Sequence, residues 1–260
     1  MLKINIKKYL IMKKIIIIGA GAMGSAFAVP CLENKNEVTI IGTHLEDDLI
    51  DSIKSNNNFH PALKVELPTK LKVEKYEKLK SILEREVDII VAGVSSIGIE
   101  WFVNQISKNY KKNLPIILLT KGLAIEDNEL ITLSDKIKKL LKKQGHEEVN
   151  VSAIKGPCLA AGLAYKMRTG TVIANPDIKE TEKLKKIIST DYYSTEISDD
   201  LTGVELAGAI KNIYSMLIGA SEGLSNSKAP KEIQSKYYLN TSASLIHRSI
   251  SEMVEFVSYY

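Results

Sequence analysis

KKIIIIGAGAMGSAFAVPCL, residues 13–32, carries the decision about the fold. Residues 13–18 are a β-branched run of the kind that forms a strand buried on both faces. Gly19-Ala20-Gly21-Ala22-Met23-Gly24 is then a GxGxxG turn, and small residues continue as a helix through about position 32. The three glycines act separately. Gly19 permits the tight turn, Gly21 lets the backbone approach a pyrophosphate, and Gly24 lets helix pack on strand. A helix that starts there offers free N–H groups and a positive dipole end to phosphates. The motif alone is weak, but here a strand precedes it, a helix follows, and EVTII at 37–41 supplies a second strand. That is the context a dinucleotide site requires. Gly19, Gly21, Ala22, Met23 and Gly24 are therefore candidate coenzyme contacts. A signal peptide is the rival reading, because Lys13 and Lys14 precede the apolar run and Ala26-Phe27-Ala28 resembles a cleavage site. It leaves the three glycines and the later alternation unexplained. Met12 begins the patterned region, so residues 1–11 read as a mis-assigned start.

Outward from this unit, the pattern keeps alternating. Residues 56–68 are polar and proline-containing and read as a loop; 76–84 read as helix, 87–94 (VDIIVAGV) as buried strand, 99–106 as helix and 116–119 as strand. A lysine-rich amphipathic helix is expected at 128–143, with strands at 149–154 and 171–174. Strands alternating with helices predict an α/β fold with a doubly wound, Rossmann-type parallel sheet. Near position 199 the strand signal ends. Val204, Ala207, Ile210, Ile213, Tyr214, Leu217 and Ile218 recur at helical spacing. A loop carrying Pro230 is expected at 225–236, and a last helix at 239–257. The expected domains are 12–198, dinucleotide-binding, and 199–260, an incomplete all-helical substrate domain.

Composition narrows the function classes. With 260 residues, 45% apolar and 25% charged, the chain reads as an ordinary globular protein. Its net charge of +4 is spread over helices and forms no nucleic-acid stripe. Cys31 and Cys158 lie far apart with no ligand-spaced partner, which argues against a disulfide scaffold or a metal site and for reduced thiols in a cytoplasmic protein. None of the four histidines forms a metal pair, and no run is long enough to span a bilayer.

Several residues outside the glycine turn are candidates for chemistry. An NAD site usually carries Asp or Glu at the end of the second strand, to bind the ribose 2′-hydroxyl. Here the strand runs into Gly42-Thr43-His44, and Glu46 and Asp47 come late. Thr43 and His44 could instead hydrogen-bond a 2′-phosphate, so the reading leans to NADP and keeps NAD open; both residues read equally well as solvated loop. Lys121, in LLTKGL, follows a buried strand at the sheet end where ligands bind, although many lysines here are simply surface residues. Lys211, in GAIKNI, lies inside an apolar helix near small neighbours. Gly208 and Gly219 each cost such a helix about 1 kcal/mol, which close approach of another group would offset. A buried lysine has a lowered pKa and suits proton exchange with an alcohol. Its bland alternative is a stem along the core with the amine in water. Gly156-Pro157-Cys158 is either a plain turn or a loop bordering a ligand, and Cys158 has no histidine or orienting acid to make it a nucleophile.

Taken together, GAGAMGSAFA (19–28), NNNFHPALKVELP (56–68), VAGVSSIGIE (91–100), LLTKGL (118–123), GPCLAAGLA (156–164), SDDLTGVELAGAIKNIYSMLIGASEGL (198–224) and NTSASLIHRSISEM (240–253) resemble the NAD(P)-dependent glycerol-3-phosphate dehydrogenases, archaeal-type members among them. The resemblance covers most of the chain from Met12 onward. VELAGAIKN and TKG are specific to that family, whereas the glycine loop is shared widely. It implies a Rossmann domain followed by a helical domain, and interconversion of dihydroxyacetone phosphate and sn-glycerol 3-phosphate. Lys211 resembles the catalytic lysine and Lys121 its partner near the substrate. Asn212 and Gly156 would contact substrate, the latter bordering the nicotinamide, and Ser95 the coenzyme.

Two departures stand out. Family members usually carry an acid where Gly162 stands, and they are about half a domain longer, with Asp-Leu…Thr and Arg-Asn motifs that bind substrate. A phosphate dianion without an arginine fork is held weakly, and Arg248 is the one arginine near the end that raises the question of replacement. A short helical domain also exposes apolar helix faces, which favours a homodimer or a partner subunit. The rival functions are a non-catalytic dinucleotide-binding protein and a related Rossmann reductase of another hydroxy or keto acid.

Overall fold

The structure, a computed structural model, describes residues 12–228 and 234–260. The question of the start at Met1 or Met12, and part of the loop expected at 225–236 with Pro230, fall outside the described residues. In chain order, β1 (Lys14–Ile18), α1 (Ala22–Glu33), β2 (Glu37–Ile41) and α2 (Asp47–Ser55) come first. Next are β3 (Phe59–His60), β4 (Val65–Glu66), β5 (Lys72–Glu74), α3 (Leu79–Leu83), β6 (Ile89–Ala92) and α4 (Ile99–Ile106). The middle holds β7 (Ile116–Leu118), β8 (Leu123–Glu126), β9 (Glu129–Thr132), α5 (Leu133–Lys143), β10 (Val151–Lys155) and α6 (Ala160–Ala164). The last elements are β11 (Thr169–Ala174), α7 (Ile178–Ile188), β12 (Tyr193–Ser198), α8 (Leu201–Lys228) and α9 (Gln234–Ser258).

β1 lies in the middle of the sheet because its side chains feed both faces. Ile15 and Ile17 belong to one core layer, Ile16 and Ile18 to the other, and all four are buried. Full burial of one such side chain contributes about 1.5–3 kcal/mol, which is why an unbroken isoleucine run suits an interior strand. The strand order is β12-β11-β10-β7-β6-β1-β2-β5. Its last six members, from β10 to β5, are all parallel and follow the doubly wound order of a dinucleotide-binding sheet.

The expectation of a wholly parallel sheet needs correction. β11 runs antiparallel to β10, and β12 then pairs parallel with β11, so the sheet is mixed. The connection between β10 and β11 carries only the five-residue helix α6, which is not the full-length crossover helix that usually returns the chain to a parallel neighbour. The polar stretch 56–68 is not simply loop, since β3 and β4 pair within it as a small antiparallel ladder. The helix expected at 128–143 starts later, because residues 129–132 form β9 against β8; Thr132 then caps α5 by accepting from the Asp135 N–H. β5 and β12 carry weaker alternation and were not expected as strands.

The helical segment begins as expected after β12. α8 runs to Lys228, four residues into the loop expected from position 225, and packs along both α9 and β10. No described helix is long and apolar enough to cross a membrane.

Candidate active site

Strands β1, β6, β7 and β10 are neighbours, and the loops leaving their carboxyl ends lie side by side. The first is the glycine turn. Gly19 has φ +111°, a conformation that favours glycine, and a Cβ there would stand 2.6 Å from the Gly93 carbonyl oxygen. A Cβ on Gly24 would collide with the Gly19 carbonyl oxygen, so only glycine lets α1 start this close to β1. No side chain caps α1, which leaves its first N–H groups directed at the cleft beside Ala22 and Met23. Almost nothing lies within reach of a Cβ built on Gly21, the open surface that a pyrophosphate needs. The buried His60 ring contacts the Ala20 carbonyl at 3.0 Å through Nε2, and its Nδ1 accepts from the Leu63 N–H, so this histidine braces the turn from behind.

The second loop follows β6. Gly93 donates to the Ile18 carbonyl at 2.8 Å, and the Val94 carbonyl accepts from the Thr120 hydroxyl at 2.6 Å. Ser95 is exposed on this loop, whereas Ser96 is the residue that approaches Gly122. The loop thus ties the glycine turn to the third segment, which carries Lys121.

Lys121 and Lys211 come within electrostatic range of each other here. The Lys121 amine donates to the Gly156 carbonyl at 3.4 Å. Its pKa is lowered, first by burial and then by the positive charge of Lys211, with Cys158 acting in the opposite sense. Lys121, Gly156 and Lys211, chosen from separate stretches of sequence, therefore share one site. Cys158 is buried beside them, and burial pushes its thiol up, the reverse of what a nucleophile needs.

The expectation that Lys211 is a buried amine requires correction. Its side chain is half-buried, and Asn212 and Ile213 next to it are exposed. α8 has only one flank against the sheet, so the residues after Lys211 turn away from it. Gly208 explains why: a Cβ there would stand 3.0–3.2 Å from the stem of Lys155, so the close approach belongs to a third lysine on β10. Gly219, by contrast, has nothing within 4 Å, and no close approach offsets its cost.

Lys155 and Glu205 escaped sequence reasoning. Lys155 is 3% exposed, and its amine donates to the main-chain carbonyls of Leu118 and Thr120. Burial pushes its pKa down to about 8, opposed by the negative charge of Glu205. Glu205 is wholly buried on α8, accepts from the Ser134 N–H at 3.3 Å, and is raised by burial, opposed by Lys155. Glu205 thus ties α8 to the start of α5, and Lys155 ties β10 to the strand end that bears Lys121. The only sequence signal was a charged residue in each of two otherwise apolar runs, VSAIK and VELAG.

At the end of β2 the Thr43 N–H donates to Glu46, and His44 is exposed with its ring against Trp101 and Tyr76, centroids 5.2 and 6.3 Å away. Arg248 pairs with Glu252 one turn along α9, and its side chain is 71% exposed. Among the described residues no group of three His, Cys, Asp or Glu is placed to hold a metal ion.

Comparison with known proteins agrees with this geometry. Residues 14–181 match the model for the N-terminus of NAD-dependent glycerol-3-phosphate dehydrogenase, and residues 200–260 match that for its C-terminus. The NADP(+)-dependent glycerol-3-phosphate dehydrogenase of Archaeoglobus fulgidus is 34% identical over 93% of this chain and 68% of its own length. The glycerol-3-phosphate dehydrogenase [NAD(P)+] of Mesoplasma florum is 29% identical over 95% and 69%. The chain therefore spans about two thirds of the length of these relatives. The crystal structure of glycerol-3-phosphate dehydrogenase from Coxiella burnetii superposes with a TM-score of 0.75 at 24% identity, over 95% of this chain and 69% of that one, which supports the fold. With both family models matched in order and a relative 34% identical over most of the chain, the chain belongs to the NAD(P)-dependent glycerol-3-phosphate dehydrogenase family of oxidoreductases.

Proposed function

We propose that this chain interconverts dihydroxyacetone phosphate and sn-glycerol 3-phosphate, with Lys211 and Lys121 as its catalytic residues. The observation that carries the reading is Lys121 donating to the Gly156 carbonyl within electrostatic range of Lys211, near the carboxyl ends of β7 and β10, alongside an uncapped glycine turn. The turn at Gly19–Gly24 and the start of α1 would hold the pyrophosphate of NAD or NADP, with Ser95 at the rim of the same cleft. A bound nicotinamide supplies or accepts the hydride. Lys211 gives a proton to the substrate carbonyl oxygen in reduction and takes it back in oxidation. Lys121 lies near enough to that charge to be lowered by it, and it donates to the substrate oxygen or phosphate. Asn212, exposed beside Lys211 on α8, offers an amide to the substrate, and the Gly156 carbonyl borders the nicotinamide. The dinucleotide part spans 12–198 and the substrate part 199–260 in this reading. The working form is a homodimer in the cytoplasm: exposed Ile213, Met216 and Leu217 on α8 and Ile246, Ile250 and Val254 on α9 are the apolar surface available for pairing.

Initial rates with dihydroxyacetone phosphate and each reduced coenzyme test the assignment. Lys211→Ala is expected to lower kcat by about 10²- to 10⁴-fold with coenzyme binding retained, the usual worth of a positioned proton donor. Unchanged turnover in that variant removes Lys211 from the mechanism.

A further inference from the structure

We infer that Glu46 sets coenzyme choice, taking the adenosine ribose hydroxyls of NAD and excluding the 2′-phosphate of NADP; the inference rests on the dehydrogenase reading above. From sequence, no acid stood at the end of β2, because Glu46 lies five residues beyond Ile41. The chain folds back to deliver it. Gly42 allows the turn, since a Cβ there would meet Ile50 Cγ1 at 2.8 Å, and α2 therefore starts against the strand end. The Glu46 N–H then donates to the Thr43 carbonyl at 3.0 Å, closing the loop.

The result is a carboxylate set against the glycine turn. Glu46 Oε2 accepts from the Ala20 N–H at 3.0 Å and from the Thr43 N–H at 2.7 Å. It thereby bridges the loop after β1 and the loop after β2, between which an adenosine ribose sits in this fold. Oε1 accepts no hydrogen bond from the described residues and lies 3.8 Å from where a Cβ on Gly21 would stand. That oxygen is an acceptor facing the open surface over the turn. A ribose diol is a pair of donors and satisfies it; a phosphate dianion is an acceptor of the same charge sign and is repelled. Of the nearby groups that could offset the repulsion, His44 is exposed with its ring against Trp101 and Tyr76, whereas two lysines are already engaged. Lys75 is paired with Asp51 and Lys54 with Glu74. Glu46 thus weighs towards NAD, against the lean towards NADP that Thr43 and His44 carry.

Trp101 is the chain's one tryptophan and sits at this edge, so energy transfer from it to bound NADH or NADPH reports binding without turnover. The wild-type protein is expected to bind NADH at least about tenfold more tightly than NADPH, a gap of one decade in Kd, and the gap should narrow as salt screens the carboxylate. Glu46→Gln should close most of the gap by tightening NADPH. Equal or tighter NADPH binding by the wild-type protein overturns the inference and needs no variant to be folded. So does a NADH to NADPH ratio that Glu46→Gln leaves unchanged. Failure of both coenzymes to bind overturns the dehydrogenase reading itself and this inference with it.

Discussion

Lys155 shows what a buried charge costs and how it reads out. At 3% exposure its ammonium is satisfied by two carbonyls, yet burial still holds its pKa at about 8 against 10.5 for the free side chain. The folded protein therefore binds fewer protons than the unfolded chain between those values, and stability rises with pH across that window. Below about pH 8 the charged amine is a net cost of at most about 3 kcal/mol. Denaturant unfolding of wild type and Lys155→Met at pH 7.5 and 9.5 checks this: wild type is expected to gain on the variant as pH rises. A constant difference between the two proteins would show that Lys155 does not titrate in that range. Its legibility was poor for a physical reason. A lysine at a strand end reads as surface, and only the neighbouring layer, Gly208 on α8, shows that it is enclosed.

At the scale of elements, local chemistry fixes boundaries that periodicity misses. The amphipathic lysine pattern before position 143 was visible, but it did not show where α5 begins. Thr132 does, since its hydroxyl accepts from the Asp135 N–H at 3.1 Å while the preceding residues pair as β9 with β8. Thr132→Ala should cost about 1 kcal/mol, the usual worth of such a cap, and lower the thermal midpoint, as calorimetry would detect; an unchanged midpoint would show that the cap is dispensable. The glycine turn was legible because each glycine answers a local steric demand. The late acid Glu46 was not, because its place depends on how α2 folds back across Gly42.

For the molecule as a whole, the open question is what the outer faces of α8 and α9 do. Among the described residues seven large apolar side chains stand exposed on these two helices, more than scattered surface residues account for. Sedimentation equilibrium is expected to find a dimer, and Met216→Glu with Ile250→Glu to shift it to monomer with the Rossmann sheet intact; a wild-type monomer at high concentration would refute self-association. The sequence alone determined the sheet's central strand, the dinucleotide turn and the helical segment, because isoleucine runs, glycine spacing and helical periodicity are satisfied within a few residues of chain. Tertiary structure alone decided that β11 reverses, that Lys121 and Lys211 come within electrostatic range, that Lys155 is enclosed, and that Glu46 returns to the turn. Those outcomes depend on groups tens of residues apart competing for the same buried space and hydrogen bonds, and no local window of sequence contains both competitors.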